Sequence, residues 1–305
     1  MSTEQTEQQE AVSIPPTGIR MIAREFKKDK LAMFSLTVLI FILLFAFIGA
    51  MILDQDVVTK INILDRFARP GDSSMTGHKY LLGTDEGGRD IFGLLVFGAR
   101  NSIFIGFSIT IITSIIGVFV GLIAGYYGGI IDSIIMRIVD FIMILPIMLI
   151  IIVLVTIVPR YNALTLVWIM SAFYWVGKAR LFRAKTLSES RRDYISASKT
   201  LGSSNFKIIF RELLPNVSSL IITNLTMNFA ANIGIETSLT FLGFGLPSKT
   251  PSLGTLTAYA NNSETLANRP WTWVPAALLI LVLMLSINYV GQALRRSSDA
   301  RQRLG

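Results

Sequence analysis

Long apolar runs, each close to membrane-crossing length, alternate with short polar stretches along the chain. A helix needs about 20 apolar residues to cross a hydrocarbon core about 30 Å thick. Residues 31–53 meet that requirement, with no charge before Asp54. Residues 102–126 do so too and are rich in Ile and Gly; residues 138–158 follow, with Asp140 near their start. Residues 161–177 form a shorter run, and residues 217–236 are apolar with regularly spaced asparagines. Residues 271–294 open on Trp271 and Trp273, a residue type enriched at the membrane–water boundary. The pattern predicts six spans. The first follows a polar leader, is too long for a secretory signal core and lacks a small-residue cleavage pattern, so it reads as a retained helix. Pro146 predicts a kink in the third span, its freed carbonyl satisfied by neighbouring helices.

The polar connections set the orientation. Arg20, Arg24, Lys27, Lys28 and Lys30 precede the first span. Lys178, Arg180, Arg183, Lys185, Arg191, Arg192, Lys199, Lys207 and Arg211 follow the fourth, and Arg295, Arg296, Arg301 and Arg303 follow the sixth. With six spans all three groups fall on one side, which the excess of basic residues identifies as the cytoplasm. The chain then divides into a cytoplasmic segment (1–30), a first helix (31–53), an extracytoplasmic loop (54–101), a core (102–294) and a cytoplasmic tail (295–305). The loop's bases are balanced by acids such as Asp65, Asp85 and Asp90.

Composition agrees with a membrane protein: 52% hydrophobic, 16% charged, mean hydropathy +0.57, against about a quarter charged in soluble domains. The net charge of +8 is spread over short inter-span segments, which argues for topology and against nucleic acid. The absence of cysteine excludes disulfides and thiol chemistry, and a single histidine, His78, excludes a multi-histidine metal site. No nucleophile–base arrangement is present, so neither a catalytic nor a metal site is expected.

Between the fourth and fifth spans, a coupling loop over residues 185–215 holds two short helical patterns. Tyr194, Ala197 and Leu201 recur at helical spacing. Gly202 can adopt positive φ and stop that helix, and Ser203 or Ser204 can cap the next. Phe206, Ile209, Phe210 and Leu213 give the second helix an apolar face, and Pro215 is expected to end it and start the fifth span. The predicted object is a helix–turn–helix knob facing the cytoplasm, suited to docking; an amphipathic helix lying on anionic lipid is the alternative.

Inside the spans, Gly117, Gly121 and Gly125 form a stripe for close helix packing, within the chain or against a partner. Asn224, Asn228 and Asn232 recur every four residues on the fifth span, with Glu236 one turn on. Polar groups at that depth must meet protein or water, so they read as a wall of a translocation path or as interhelical hydrogen bonds. Gly87 and Gly88 lack phosphate-loop spacing and a lysine and read as a structural turn with Arg89 paired locally. The acids near His78 are poorly spaced for a metal.

Several of these motifs carry a family resemblance. Ser196-Ala197-Ser198, then Gly202, then Leu214-Pro215 resembles the EAA loop of ABC importer permeases, with Ser196 in place of the leading Glu. Leu82 to Asp90, with Phe97 to Ser102 after it, resembles the LGTDxxGRD and GAR signatures of the dipeptide/oligopeptide/nickel permease group. Arg137, Asp140 and Pro146 resemble the start of that group's third span, and Glu236 to Gly245 resembles its E.SLSFLGLG segment; Gln292 stands where it usually has Asp. The resemblance, to the C-type subunit, covers the chain from Lys28 onward. It implies an all-α integral membrane fold of the type I ABC importer (MetI-like) class, with six transmembrane helices and a cytoplasmic coupling-helix loop. It further implies docking on ATPases through Tyr194, Ala197, Leu201, Gly202, Leu214 and Pro215, with no cofactor on this chain and ATP and Mg on partner subunits. The partners implied are a second homologous permease, two ABC ATPase subunits, an extracytoplasmic substrate-binding protein, a peptide substrate and lipid, in a bacterial cytoplasmic membrane. Nickel or glutathione is the alternative cargo. A proton-coupled transporter would show an inverted repeat and more intramembrane acids.

Overall fold

The computed structural model describes residues 19–74, 77–159 and 161–302; the first part of the 1–30 segment, and Arg303 in the tail, lie outside the described residues. All regular elements among the described residues are helical. A short amphipathic α1 (Ile19–Lys28) leads into α2 (Lys30–Ile52). The Asp29 carboxylate caps α2 by accepting from the Ala32 N–H at 3.1 Å and pairs with Arg296 at 2.6 Å. Those two interactions hold the Asp29 carboxyl below its ordinary pKa and tie the first helix to the last.

After α3 (Gln55–Thr59) a loop leads to α4 (Ile91–Tyr127). This helix begins eleven residues before the apolar run that announces it, because Asp90 caps it by accepting from Phe92 and Gly93 N–H. At 37 residues it is about 55 Å long, well beyond the hydrocarbon thickness. Burial holds the Asp90 carboxyl above the usual range, with the cap bonds opposing. The loop before α4 folds on a buried Asp85, which accepts from Gly87 N–H (2.8 Å), Arg89 N–H (2.9 Å) and Arg89 Nε (2.8 Å). The Tyr259 hydroxyl joins it, donating to Asp85 at 2.7 Å and accepting from Arg89 at 2.9 Å. Burial and the Asp85 charge push the Tyr259 phenol well up. Gly88 sits at φ +71° against the Asn62 carbonyl, where a Cβ has no room.

The third apolar run is two helices, α5 (Gly129–Ile144) and α6 (Ile147–Ile157), bent by 77°. Pro146 is the cause. Leu145 before it is extended (ψ 140°), as a residue preceding proline prefers. The fourth run gives only eleven helical residues, α7 (Ala163–Phe173), about 16 Å and too short to cross alone. A turn at Tyr174–Trp175 joins it to α8 (Val176–Glu189). The short α9 (Asp193–Thr200) and α10 (Asn205–Lys207) lead through a π-helical turn (Ile208–Leu213) into α11 (Leu214–Phe241). Outer helices α12 (Leu253–Thr257) and α13 (Ser263–Asn268) precede α14 (Val274–Gln302).

Helix α4 is the axis of the bundle. Its outer half shares a core with α2, α11 and α14 through Phe97, Ile103, Ala46, Ile233 and Leu283. Its middle packs Ile105 and Ile109 on Ile151, Leu166 and Met170 of α6 and α7. Large apolar side chains, among them Phe34, Phe41, Ile144 and Trp168, stay exposed around the outside, as lipid-facing residues do. Among the described residues three helices are long and apolar enough to span a membrane, and the bent α5–α6 pair makes a fourth.

The α4–α8 contact changes the reading of the fourth run. A Cβ on Gly117 would stand 2.6 Å from Lys178 Cβ, and one on Gly121 2.8 Å from Ala179 O. On Gly125 it would stand 2.7 Å from Arg183 O. The glycine stripe is therefore filled within the chain by α8, which runs parallel to α4. Lys178, Arg180, Arg183 and Lys185, expected after the span, instead lie alongside it. Helix α5 supplies acids for two of them: Arg183 meets Asp132 at 2.5 Å and Arg180 pairs with Asp140.

Candidate functional site

Two features could act on something outside the chain: the knob at the end of α8, and an open face of α11.

The knob turns at Leu201–Gly202. Gly202 has φ +78°, its N–H donates to Lys199 O (3.0 Å), and Ser203 N–H donates to Ser198 O (3.1 Å). These are the two bonds of a Schellman stop. Ser204 caps the next turn by accepting from Lys207 N–H at 3.4 Å. Ser198 then donates to Glu212 at 2.6 Å, closing the two limbs on each other. The inner side, Ile195, Ile208, Ile209 and Leu213, is buried on Leu122 and Tyr126 at the end of α4. Tyr126 donates to Asn205 at 2.7 Å, and Tyr194 sits between Glu189 and Asn216. The outer side presents Tyr194, Ala197, Leu201 (85% exposed) and Phe206 (72% exposed). Two expectations change. Phe206 does not share the buried face of Ile209 and Leu213; it stacks on Phe210, ring centres 4.5 Å apart, at the surface. Nor does Pro215 end the second helix. Proline removes an N–H and crowds the carbonyl four residues back; the π turn absorbs this, with Leu214 N–H reaching Ile209 O, and the helix runs on.

The polar positions of α11 separate into two groups. Asn232 is buried and donates to Thr110 of α4 at 2.8 Å. Glu236 is fully buried, accepting from Thr240 at 2.9 Å. Asn224 and Asn228 instead line a cavity of 310 Å³ with Lys178, Tyr174 and Ile147. A second cavity of 510 Å³ continues outward past Tyr174, Ala231, Gly234 and Ser238. The reason is geometric. Positions four apart advance 400° at 100° per residue, so from Asn224 to Glu236 the pattern rotates about 120° around the helix. The line parallel to the axis is 224, 228, 231, 235, 238. Ala231, Gly234 and Ser238, with Tyr174 and Lys178, are wall residues that the asparagine spacing missed; the 3.6-residue period of small side chains was the available signal.

Residues 117–303 match the family described as binding-protein-dependent transport system inner membrane component, and residues 19–70 match the N-terminal TM domain of oligopeptide transport permease C. The chain is 52% identical, over 284 residues, to the oligopeptide transport system permease protein OppC of Lactococcus lactis subsp. cremoris (strain SK11), covering 93% of this chain and 95% of that one. The chain belongs to this permease family. The dipeptide transport system permease protein DppC of Bacillus subtilis (strain 168) is 34% identical over 99% of this chain and 92% of its own. In shape the permease is similar to a chain of the MetNI methionine ABC transporter in an inward-facing conformation: TM-score 0.53, 20% identity, 67% of this chain and 95% of that one. That likeness supports the MetI-like type I importer fold. As a permease the chain is a transport component of an ABC importer and not an enzyme, and membrane location follows from family and helices together. The match to MetNI covers two thirds of this chain, and the separate family match over residues 19–70 falls on α1, α2 and α3.

Proposed function

We propose that this permease forms half of the translocation path of an ATP-driven importer of dipeptides or oligopeptides, and that the α9–α10 knob transmits ATPase motion to it. The observation carrying this reading is the knob itself. Its inner face is bonded to the ends of α4, α8 and α11, while Leu201 and Phe206 stand exposed on its outer face. Such a shape suits insertion into a groove on a partner. The permease crosses the membrane six times, counting α7 with α8 as one crossing and α11 as another, with both termini in the cytoplasm. Even with the α8 bases withdrawn from the count, Arg191, Arg192, Lys199, Lys207 and Arg211 keep the knob side basic.

A homologous permease supplies the other half of the path. Two ATPase subunits hold ATP and Mg, and an extracytoplasmic binding protein delivers cargo. Peptide is favoured over nickel or glutathione because the relatives above are oligopeptide and dipeptide permeases. The open face of α11 at Asn224 and Asn228, continued by Ala231 and Ser238, serves as the path wall. The test is reconstitution of the whole complex with its binding protein and a labelled tripeptide. ATP-dependent accumulation is expected; its absence for peptides, with accumulation of nickel or glutathione, would overturn the cargo.

A further inference from the structure

Three of the four bases on the inner stretch of α8 have a carboxylate: Arg180 has Asp140, Arg183 has Asp132 and Lys185 has Glu189. Lys178, the one deepest from the knob, has none among the described residues. It is only 4% exposed, and its ammonium makes one hydrogen bond, to Thr113 of α4. Thr113 in turn donates to Ile109 O at 2.6 Å. An ammonium carries three donors, so two are unused. Lys178 packs against Gly117, ten residues before the end of α4 at Tyr127, or about 15 Å into the span. A cation at such depth without an anion is costly.

The surroundings suit a visiting anion. Lys178 lines the 310 Å³ cavity together with Asn224 and Asn228. The Asn224 side-chain oxygen is buried there without a hydrogen-bond partner. Asn228 turns its amide nitrogen back to Asn224 O at 2.8 Å, which leaves its oxygen available. The cavity thus holds one unpaired cation and amide acceptors. A peptide's C-terminal end offers the complement, a carboxylate for the ammonium and a backbone N–H for an amide oxygen.

We propose that Lys178 receives the C-terminal carboxylate of the passing peptide, with Asn224 and Asn228 meeting its last backbone amide. This rests on the import reading above. The test is uptake by the complete reconstituted complex of three peptides, each at saturating binding protein: Ala-Phe-Ala, its C-terminal amide, and amidated Ala-Asp-Ala. The free acid should pass faster than its amide by about tenfold, equivalent to one charged hydrogen bond. Lys178→Gln should remove that advantage by slowing the acid, and Lys178→Arg should retain it. Equal slowing of acid and amide in Lys178→Gln would overturn the proposal. So would equal sensitivity of amidated Ala-Asp-Ala, which would point to any carboxylate. If Lys178→Gln does not assemble, the wild-type comparison decides, and equal rates for acid and amide overturn the proposal. Failure of the wild-type complex to take up any of the three would instead strike the import reading itself.

Discussion

Replacing Gly121 by alanine tests the packing that positions the knob. The added Cβ would lie 2.8 Å from Ala179 O, Arg183 N and Phe182 Cβ. Two of those atoms are backbone of α8, so no rotamer change relieves the contact. Ordinary carbon contacts are about 3.5–4.0 Å, and the helices must part locally by a large fraction of an ångström. Opening a packed interface by 0.5–1 Å forfeits about a quarter to a half of the dispersion energy there. Overpacking of this kind costs about 1–3 kcal/mol. Against it stands the entropic gain of alanine over glycine in a helix, about 0.5–1 kcal/mol. The net expectation is a loss of about 0–2.5 kcal/mol, near 1 kcal/mol from the middle of those ranges. Gly177→Ala is the control, because a Cβ there meets nothing within 4 Å; it should be neutral or slightly stabilising. Unfolding of the detergent-solubilised permease in mixed SDS micelles measures both. Gly121→Ala as stable as Gly177→Ala would refute the α4–α8 account.

Other outcomes follow from the same structure. Asp85→Asn removes the charge that holds Arg89 and Tyr259 in the outer loop; breaking a buried pair costs about 3–5 kcal/mol, and the lower end is expected because Tyr259 still accepts from Arg89, with faster proteolysis of the 54–90 loop as the readout. Gly202→Ala places a Cβ at φ +78° and should lower stability by about 1–2 kcal/mol, read by thermal unfolding, while Gly202→Asn should cost less. Asp29 has a lowered folded pKa, through the Ala32 N–H and then Arg296. Its contribution is therefore present above the unfolded value of 3.8 and lost as pH falls through the folded one. The difference in melting temperature between wild type and Asp29→Asn should be constant at neutral pH and close in strong acid.

Much of the bundle was legible because membrane solvent leaves a simple signature. Helix α2 follows its apolar run within one residue at each end, α14 begins three residues into its run and continues eight beyond it, and Gly202 announced its own stop. What stayed hidden depended on partners distant in sequence. The bases of α8 look cytoplasmic until Asp132 and Asp140 of α5 are placed beside them, 51 and 40 residues away. The first eleven residues of α4 read as loop because Asp90 and its cap are local polar features inside a charged segment. Asparagine spacing suggested one wall, and helical rotation divided it into two buried contacts and two open ones.

If the knob couples ATP hydrolysis to transport, both should fail together when its outer face is charged. The most direct test is the Leu201→Asp, Phe206→Asp double variant in proteoliposomes holding the complete complex, with peptide uptake and ATP hydrolysis measured together. Each exposed side chain is worth about 1.5–3 kcal/mol when buried on a partner, so the pair should weaken docking more than a hundredfold. Loss of uptake and of peptide-stimulated hydrolysis is expected from a permease that still folds. Undiminished uptake and peptide-stimulated hydrolysis in the double variant would contradict that coupling role.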